Sequence, residues 1–130
     1  MPCSRSPVEG QLAREDAACE RADLPVVLLD TDAYVTALFC ESYTGRRSRA
    51  VERLAAARRY DLYLVCDPAT PFRQDEHGTR RPEQRAFLHE RELAYARRSG
   101  PTVELSGSPA ERVATAVGAI SQMLEADPSA

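Results

Sequence analysis

A first indication of the fold comes from the stretch Val26-Val27-Leu28-Leu29-Asp30-Thr31-Asp32. Its four apolar residues follow Pro25 and end at an acid, which is typical of a short strand buried on both faces. Asp32 comes two residues later, where its carboxylate can cap a helix by accepting hydrogen bonds from the N–H groups of the first turn. A buried strand that leads directly into a helix predicts an α/β fold.

Further helices and strands alternate on both sides of this stretch. Residue spacing predicts helices over 8–22, from Asp32 to Gly45, from Ser48 to about 59, over 82–99 and from the capping box Ser108–Glu111 onward, strands over 60–66 and 102–106, and a loop over 69–81. This alternation predicts a three-layer fold, in which a parallel sheet of three strands carries helices on both faces. We expect residues 1–7 to be disordered, residues 8–125 to form one domain and residues 126–130 to fray.

Composition excludes several kinds of chemistry. The chain has 130 residues and 17 Lys plus Arg, every one of which is Arg. Without Lys these residues hold neither a complete GxxxxGK[ST] P-loop nor a Schiff-base amine. The net charge of -3 argues against binding to nucleic acid through overall charge. The sequence has no apolar run of membrane-spanning length and no signal-peptide pattern, so we expect a cytoplasmic protein.

Two acids follow the first predicted strand, at the edge of a parallel sheet where ligands bind. An apolar strand ending in Asp is the Walker B pattern, which predicts that Asp30 holds Mg²⁺ through water. Asp32 could then reach a substrate hydroxyl and act as a base. The structural alternative is that Asp30 ends a strand and Asp32 caps a helix. A further alternative is a haloacid dehalogenase-type phosphatase, whose DxDx[TV] pattern this chain breaks with Tyr34.

Arginines cluster in and just after the predicted loop, at positions 73, 80, 81 and 85. A guanidinium group matches phosphate oxygens with two parallel hydrogen bonds and keeps its charge at any working pH. A loop with such residues can close over a nucleotide and stabilise the charge of a transferring phosphoryl group. The alternative is a solvated loop in which the arginines are balanced by interleaved acids.

In order and rough spacing, these segments resemble the NadR-type ribosylnicotinamide kinase family and its AAA/P-loop relatives. The matching segments are Gly10–Asp16, Leu28–Gly45, Tyr60–Leu64, Gln74-Asp75 with Gly78–Arg80 and Arg85, and Leu105–Gly107 with Glu111-Arg112.

The resemblance implies Mg²⁺-dependent phosphoryl transfer from ATP or GTP to nicotinamide riboside or a similar nucleoside. The resemblance also implies that Asp30 is the Walker B carboxylate and that Asp32 is its catalytic neighbour. The lid arginines implied are Arg73, Arg80 and Arg85, and the residues placed near the substrate cleft are Thr36, Tyr43 and Asp75.

The chain departs from the family pattern in two places. The family carries a P-loop strand, the P-loop, its helix and a second strand before the region of Gln11, so the resemblance covers roughly the C-terminal two thirds of such a domain. The family lid has a Trp before its Asp-Gly, where this chain has Phe72 and two extra residues after Asp75. We therefore expect a kinase that is inactive alone and needs a partner chain or an N-terminal segment to complete its sheet. The alternative is a non-catalytic module that binds a nucleotide or a protein.

Overall fold

The structure is a computed structural model that describes residues 5–21, 23–68 and 82–126, with the backbone alone for 5–7, 40, 42, 43 and 82–84. Its elements, in chain order, are α1 (Arg5–Arg21), α2 (Ala33–Thr44), α3 (Arg49–Ala56), β1 (Tyr63–Cys66), α4 (Pro82–Ser99), β2 (Thr102–Leu105) and α5 (Pro109–Ala126). The chain divides into two compact units, which we name unit 1 (Met1–Arg59) and unit 2 (Tyr60–Ala130). The five helices confirm the helical part of the prediction, although α1 begins three residues before the expected start at Val8.

Unit 1 contains the helices α1, α2 and α3, and the residues predicted to cap α2 and to begin α3 do so. Asp32 caps the start of α2, and Gly45 ends that helix in a left-handed conformation with φ 69°, which glycine adopts without steric penalty. Ser48 caps α3 by accepting a hydrogen bond from the Val51 N–H. The core of the unit joins all three helices and comprises Val8, Ala33, Val51 and Ala55.

Unit 2 is built around two parallel strands that are connected through α4. β1 pairs with β2 in the register that runs from Tyr63 opposite Thr102 to Cys66 opposite Leu105. Tyr63 and Val65 point to the same face of β1, since side chains alternate along a strand, and they pack against Ala96 of α4. The parallel pairing and the mixed α/β class therefore agree with the prediction.

The predicted first strand is wrong. Val26–Leu29 is an irregular segment, and Leu28 and Leu29 are 74% and 36% exposed. The two observed strands, β1 and β2, both lie in unit 2, and no strand of the described ranges pairs with Val26–Leu29. A strand is stabilised by hydrogen bonds to a neighbouring strand, and an apolar run without such a neighbour does not form one. The third strand and the three-layer sheet are thus not found in the part of the chain that the structure describes.

The last helix, α5, begins with the predicted capping box, and none of its residues is fully buried. The Glu111 N–H donates to Ser108 Oγ at 3.2 Å, and the Ser108 N–H donates to Glu111 Oε1 at 3.4 Å. Val113 and Val117, which belong to an apolar stripe of this helix, are 63% and 56% exposed. The apolar spacing of α5 therefore predicts the helix correctly, but these valines have no cover in the described structure. None of the described helices is both long and apolar enough to cross a membrane.

Candidate functional site

A polar pocket of about 240 Å³ lies in unit 1, between α1 and the turn that precedes α2. The residues that line it are Gln11, Arg14, Glu15, Leu29, Asp30 and Thr31. One guanidinium group, two carboxylates and an amide thus share a small volume. Asp30 is the residue in this pocket that the sequence predicted, and the structure places its exposed side chain at the pocket wall.

The turn that carries Asp30 is tied to the first helix by a short hydrogen-bond chain. The side-chain amide of Gln11 donates from Nε2 to the Thr31 carbonyl oxygen at 3.2 Å. Thr36 in turn donates from Oγ1 to Gln11 Oε1 at 2.9 Å. Thr36 was predicted near the substrate cleft, and the structure brings it next to the pocket through Gln11.

Asp32 does not line the pocket with Asp30. Its Oδ1 accepts a hydrogen bond from the Val35 N–H at 2.8 Å, which is the helix-capping geometry of the structural alternative. The side chain is half-buried, and this loss of solvation raises the pKa of Asp32 above its ordinary value, although backbone hydrogen bonds from Val35, Tyr34 and Asp32 itself act in the opposite direction. The two acids of the Asp30-Thr31-Asp32 turn therefore have different environments.

The raised pKa of Asp32 predicts how the stability of the chain depends on pH. Because the pKa of Asp32 is higher in the folded than in the unfolded state, its contribution to stability is fully present below the ordinary pKa of 3.8 and is lost as pH rises through the folded-state pKa. Asp32→Asn keeps a capping oxygen but cannot ionise. We expect the free energy of unfolding of Asp32→Asn, minus that of the wild type, to increase as pH rises from about 3 to 7. Urea denaturation of both proteins measures this difference. A difference between the two proteins that stays constant over this range would contradict the assignment.

Two charged residues of α1, Arg14 and Glu15, also line the pocket, although no motif in the sequence pointed to them. Glu15 is only 5% exposed, and its Oε2 lies 3.7 Å from Arg58 Nη1. The same Arg58 atom lies 2.7 Å from Asp16 Oδ1, and this hydrogen bond lowers the pKa of the Asp16 carboxyl. Arg58 thus pairs with both Glu15 and Asp16 of α1. Arg14 brings positive charge to the pocket wall. The available signal was the spacing of positions 11, 14 and 15, which lie on one face of a helix.

The predicted lid residues are described only in part. Arg73, Asp75 and Arg80 lie outside the described residues, and of Tyr43 in α2 the structure describes only the backbone. Arg85 of α4 donates from Nη2 to the Pro68 carbonyl oxygen at 3.5 Å. It therefore lies at the carboxyl end of β1, the edge at which an α/β sheet binds ligands.

A second arginine, which the predicted site did not include, reaches the same edge of the sheet. Arg112 of α5 donates from Nη2 to the Asp67 carbonyl oxygen at 3.1 Å and from Nε to the Gly107 carbonyl oxygen at 2.9 Å. It therefore joins the chain segments that follow β1 and β2.

The residues of the pocket fit a hydrated magnesium ion better than a metal held by protein alone. Over the described ranges, no three His, Cys, Asp or Glu side chains cluster as metal ligands. Magnesium usually keeps several of its waters and is held by one or two carboxylates together with the phosphates of a substrate. Asp30 can serve as such a carboxylate, and Arg14 beside it can pair with phosphate oxygens.

Comparison with known proteins gives one match. A protein-family model described as an AAA domain matches residues 2–112. This range covers the pocket of unit 1 and extends through β2 to Arg112 in unit 2. No curated protein and no solved structure gave a significant match.

Proposed function

This chain belongs to the AAA domain family of P-loop NTPase relatives, and from this premise we propose that it is a nucleotide kinase-like phosphotransferase domain. The proposed reaction transfers the terminal phosphoryl group of ATP or GTP to a hydroxyl of nicotinamide riboside or a similar nucleoside. The observation that carries the proposal is the exposed Asp30 carboxylate in one pocket with Arg14.

Each residue of the proposed site has a distinct task. A bound magnesium ion neutralises the charge that develops on the phosphoryl oxygens. Asp30 would hold such an ion through its waters, and Arg14 would pair with phosphate oxygens. Asp32 keeps its proposed role as the base only if a substrate hydroxyl reaches the start of α2, because Asp32 caps that helix and does not line the pocket. For Arg73, Arg80 and Arg85 of unit 2 we propose the phosphate-binding role that the family resemblance implies.

The absence of Lys from the sequence predicts the behaviour of the isolated chain. A P-loop Lys reaches the transferred phosphates, and none of the 130 residues is a Lys. We expect the purified chain to transfer no γ-phosphate to nicotinamide riboside, measured with γ-³²P-labelled ATP and GTP. A polypeptide that carries GxxxxGK[ST] with its strand and helix is expected to restore transfer when it is mixed with the chain.

The results of this assay separate the possible explanations. Turnover by the isolated chain would contradict the requirement for a P-loop Lys. If the mixture neither transfers phosphate nor binds a nucleotide or a nucleoside by calorimetry, the proposed phosphotransferase function is wrong.

A second candidate function is a non-catalytic module that binds a partner protein. The observation that favours it is the exposure of large apolar side chains in both units, at Leu24, Leu28, Val113 and Val117, since such side chains are commonly covered at interfaces. In this case Asp30→Asn would leave binding to the partner unchanged. The DxD phosphatase has no such support, because Tyr34 stands where its DxDx[TV] pattern has Thr or Val. Hydrolysis of p-nitrophenyl phosphate that is lost in Asp30→Asn would revive it.

A further inference from the structure

The turn that carries Asp30 is not held in place by a sheet. In a Walker B site the strand before the acid is paired with its neighbours, and this pairing fixes the carboxylate. Here Val26–Leu29 is irregular, and no described strand pairs with it. Another feature of the molecule must therefore determine where the Asp30 side chain points.

Thr31, the residue after Asp30, has a backbone conformation that its side chain disfavours. Its φ is 62°, and it is the one non-glycine residue in the described structure with a positive φ. The left-handed region is unfavourable for L-residues and most unfavourable for β-branched ones, because the side chain crowds the backbone. Such a conformation persists only where surrounding contacts hold it, and these positions concentrate at functional sites.

The Thr31 carbonyl oxygen accepts a hydrogen bond from the side-chain amide of Gln11, 3.2 Å long. A carbonyl oxygen can only accept, so the –NH₂ group of Gln11 must face Thr31 and its oxygen must face Thr36. The Thr36 hydroxyl therefore donates to Gln11 Oε1, at 2.9 Å. The direction of both hydrogen bonds is thus set by chemistry, and the Gln11 amide cannot flip without losing the contact to Thr31.

We propose that Gln11 is a positioning residue, which holds Thr31 in its left-handed conformation and thereby directs the Asp30 carboxylate into the pocket. With its left-handed conformation, Thr31 turns the chain between Asp30 and Asp32. Asp30 lines the pocket, and Asp32 is free to cap α2. The use of Asp30 to hold a metal ion rests on the proposed function, whereas the effect of Gln11 on the turn does not.

Four substitutions test this inference. Gln11→Glu keeps the shape of the side chain and an acceptor for Thr36, but it replaces the donor to Thr31 with a carboxylate oxygen. Gln11→Met removes both hydrogen bonds without adding charge. Thr36→Val removes the hydrogen bond from Thr36 to Gln11 and the longer one, 3.4 Å, from the Thr36 hydroxyl to the Asp32 carbonyl oxygen, but it leaves the contact between Gln11 and Thr31 in place. Thr31→Gly removes the steric penalty of the left-handed conformation, so the turn should no longer need Gln11.

The first readout is the backbone conformation of Thr31, followed by its ¹³Cα and ¹³Cβ chemical shifts in the full chain. We expect Gln11→Glu and Gln11→Met to move both shifts toward the values of a negative φ, and Thr36→Val to move them less. Amide signals near the end of α2, at Glu41 and Thr44, should stay unchanged, because Asp32 still caps the helix. Unchanged Thr31 shifts in both Gln11 variants would overturn the inference.

The second readout is paramagnetic broadening of the Asp30 and Thr31 amide signals by Mn²⁺, used as a probe for Mg²⁺. Loss of a residue that orients a metal ligand commonly weakens metal binding by about tenfold or more, and we expect this loss in Gln11→Met. Gln11→Glu should show it too, although its added negative charge would by itself favour the cation. With Thr31→Gly present, Gln11→Met should weaken binding by less than about threefold relative to Thr31→Gly alone.

The two readouts separate this inference from the proposed function. If Mn²⁺ does not broaden the Asp30 signal of the wild type, the metal-binding role of Asp30 is wrong, and the Thr31 chemical shifts alone decide the role of Gln11. If the wild type binds Mn²⁺ but Gln11→Met weakens binding equally with Thr31 and with Gly at position 31, Gln11 does not act through the turn and the inference is wrong.

Discussion

Asp30→Asn is expected to lower phosphoryl transfer by about a hundredfold or more in the chain supplied with a P-loop polypeptide, because one electrostatic contact in an active site is commonly worth that much. The substitution keeps the size of the side chain but removes the charge that holds the waters of the magnesium ion. Asp30 is exposed, so the fold should not change. The measurements are initial rates of transfer over a range of Mg²⁺ concentrations, with circular dichroism as the test of folding.

The matched control for this prediction is Asp23→Asn. Asp23 is also an exposed acid of unit 1, but it does not line the pocket. The Asp23→Asn variant should retain the wild-type rate of phosphoryl transfer. This result would show that the loss of one negative charge does not by itself explain the effect of Asp30→Asn. Equal rates for Asp30→Asn and the wild type would exclude Asp30 as the carboxylate that holds the metal.

Leu38→Ala is expected to lower the free energy of unfolding by about 2–5 kcal/mol, the usual effect of removing a buried leucine side chain. Leu38 is 1% exposed and is among the most completely buried large side chains. The deletion removes most of a buried side chain of α2 and leaves a cavity in its place. Urea denaturation followed by circular dichroism measures the loss, and hydrogen exchange of the α2 amides shows whether it arises in unit 1.

Leu28→Ala makes the same chemical change at a position for which the sequence and the structure disagree. If Val26–Leu29 were a strand buried on both faces, Leu28→Ala would destabilise the chain about as much as Leu38→Ala. Because Leu28 is largely exposed, we expect a change of about 0.5 kcal/mol or less. A large loss of stability in Leu28→Ala would show that this leucine is covered, and would support the buried strand predicted from the sequence.

The local parts of the fold were predictable because their signals lie within a few residues of one another. A cap at Asp32 or Ser48 needs only a side-chain oxygen and the N–H group three residues later. The capping box of Ser108 and Glu111 and the start of α4 at Pro82 are equally local. The strand at Val26–Leu29 was mispredicted for the opposite reason, because apolar composition indicates a tendency to be buried but does not supply a neighbouring strand.

The candidate site was predictable only where its residues belong to a local sequence pattern. Asp30 stood out because an acid after an apolar run is a recognisable pattern. Gln11 and Arg14 did not, because their role depends on α1 lying beside the turn that precedes α2. The hydrogen bond from Gln11 to Thr31 joins residues 20 positions apart, and no local pattern indicates such a pair.

The helix caps at Asp32, Ser48 and Ser108, the α/β class with parallel strands and the lack of a P-loop Lys in this chain could all be read from the sequence. Backbone capping, side-chain periodicity and composition are properties of neighbouring residues, so they can be read along the chain. Three features became visible only in the tertiary structure. Asp30 and Asp32 have separate environments, Thr31 has a left-handed conformation, and Gln11 contacts Thr31. These features depend on which distant groups meet in space, since a hydrogen bond or a pocket exists only once packing has brought its partners together.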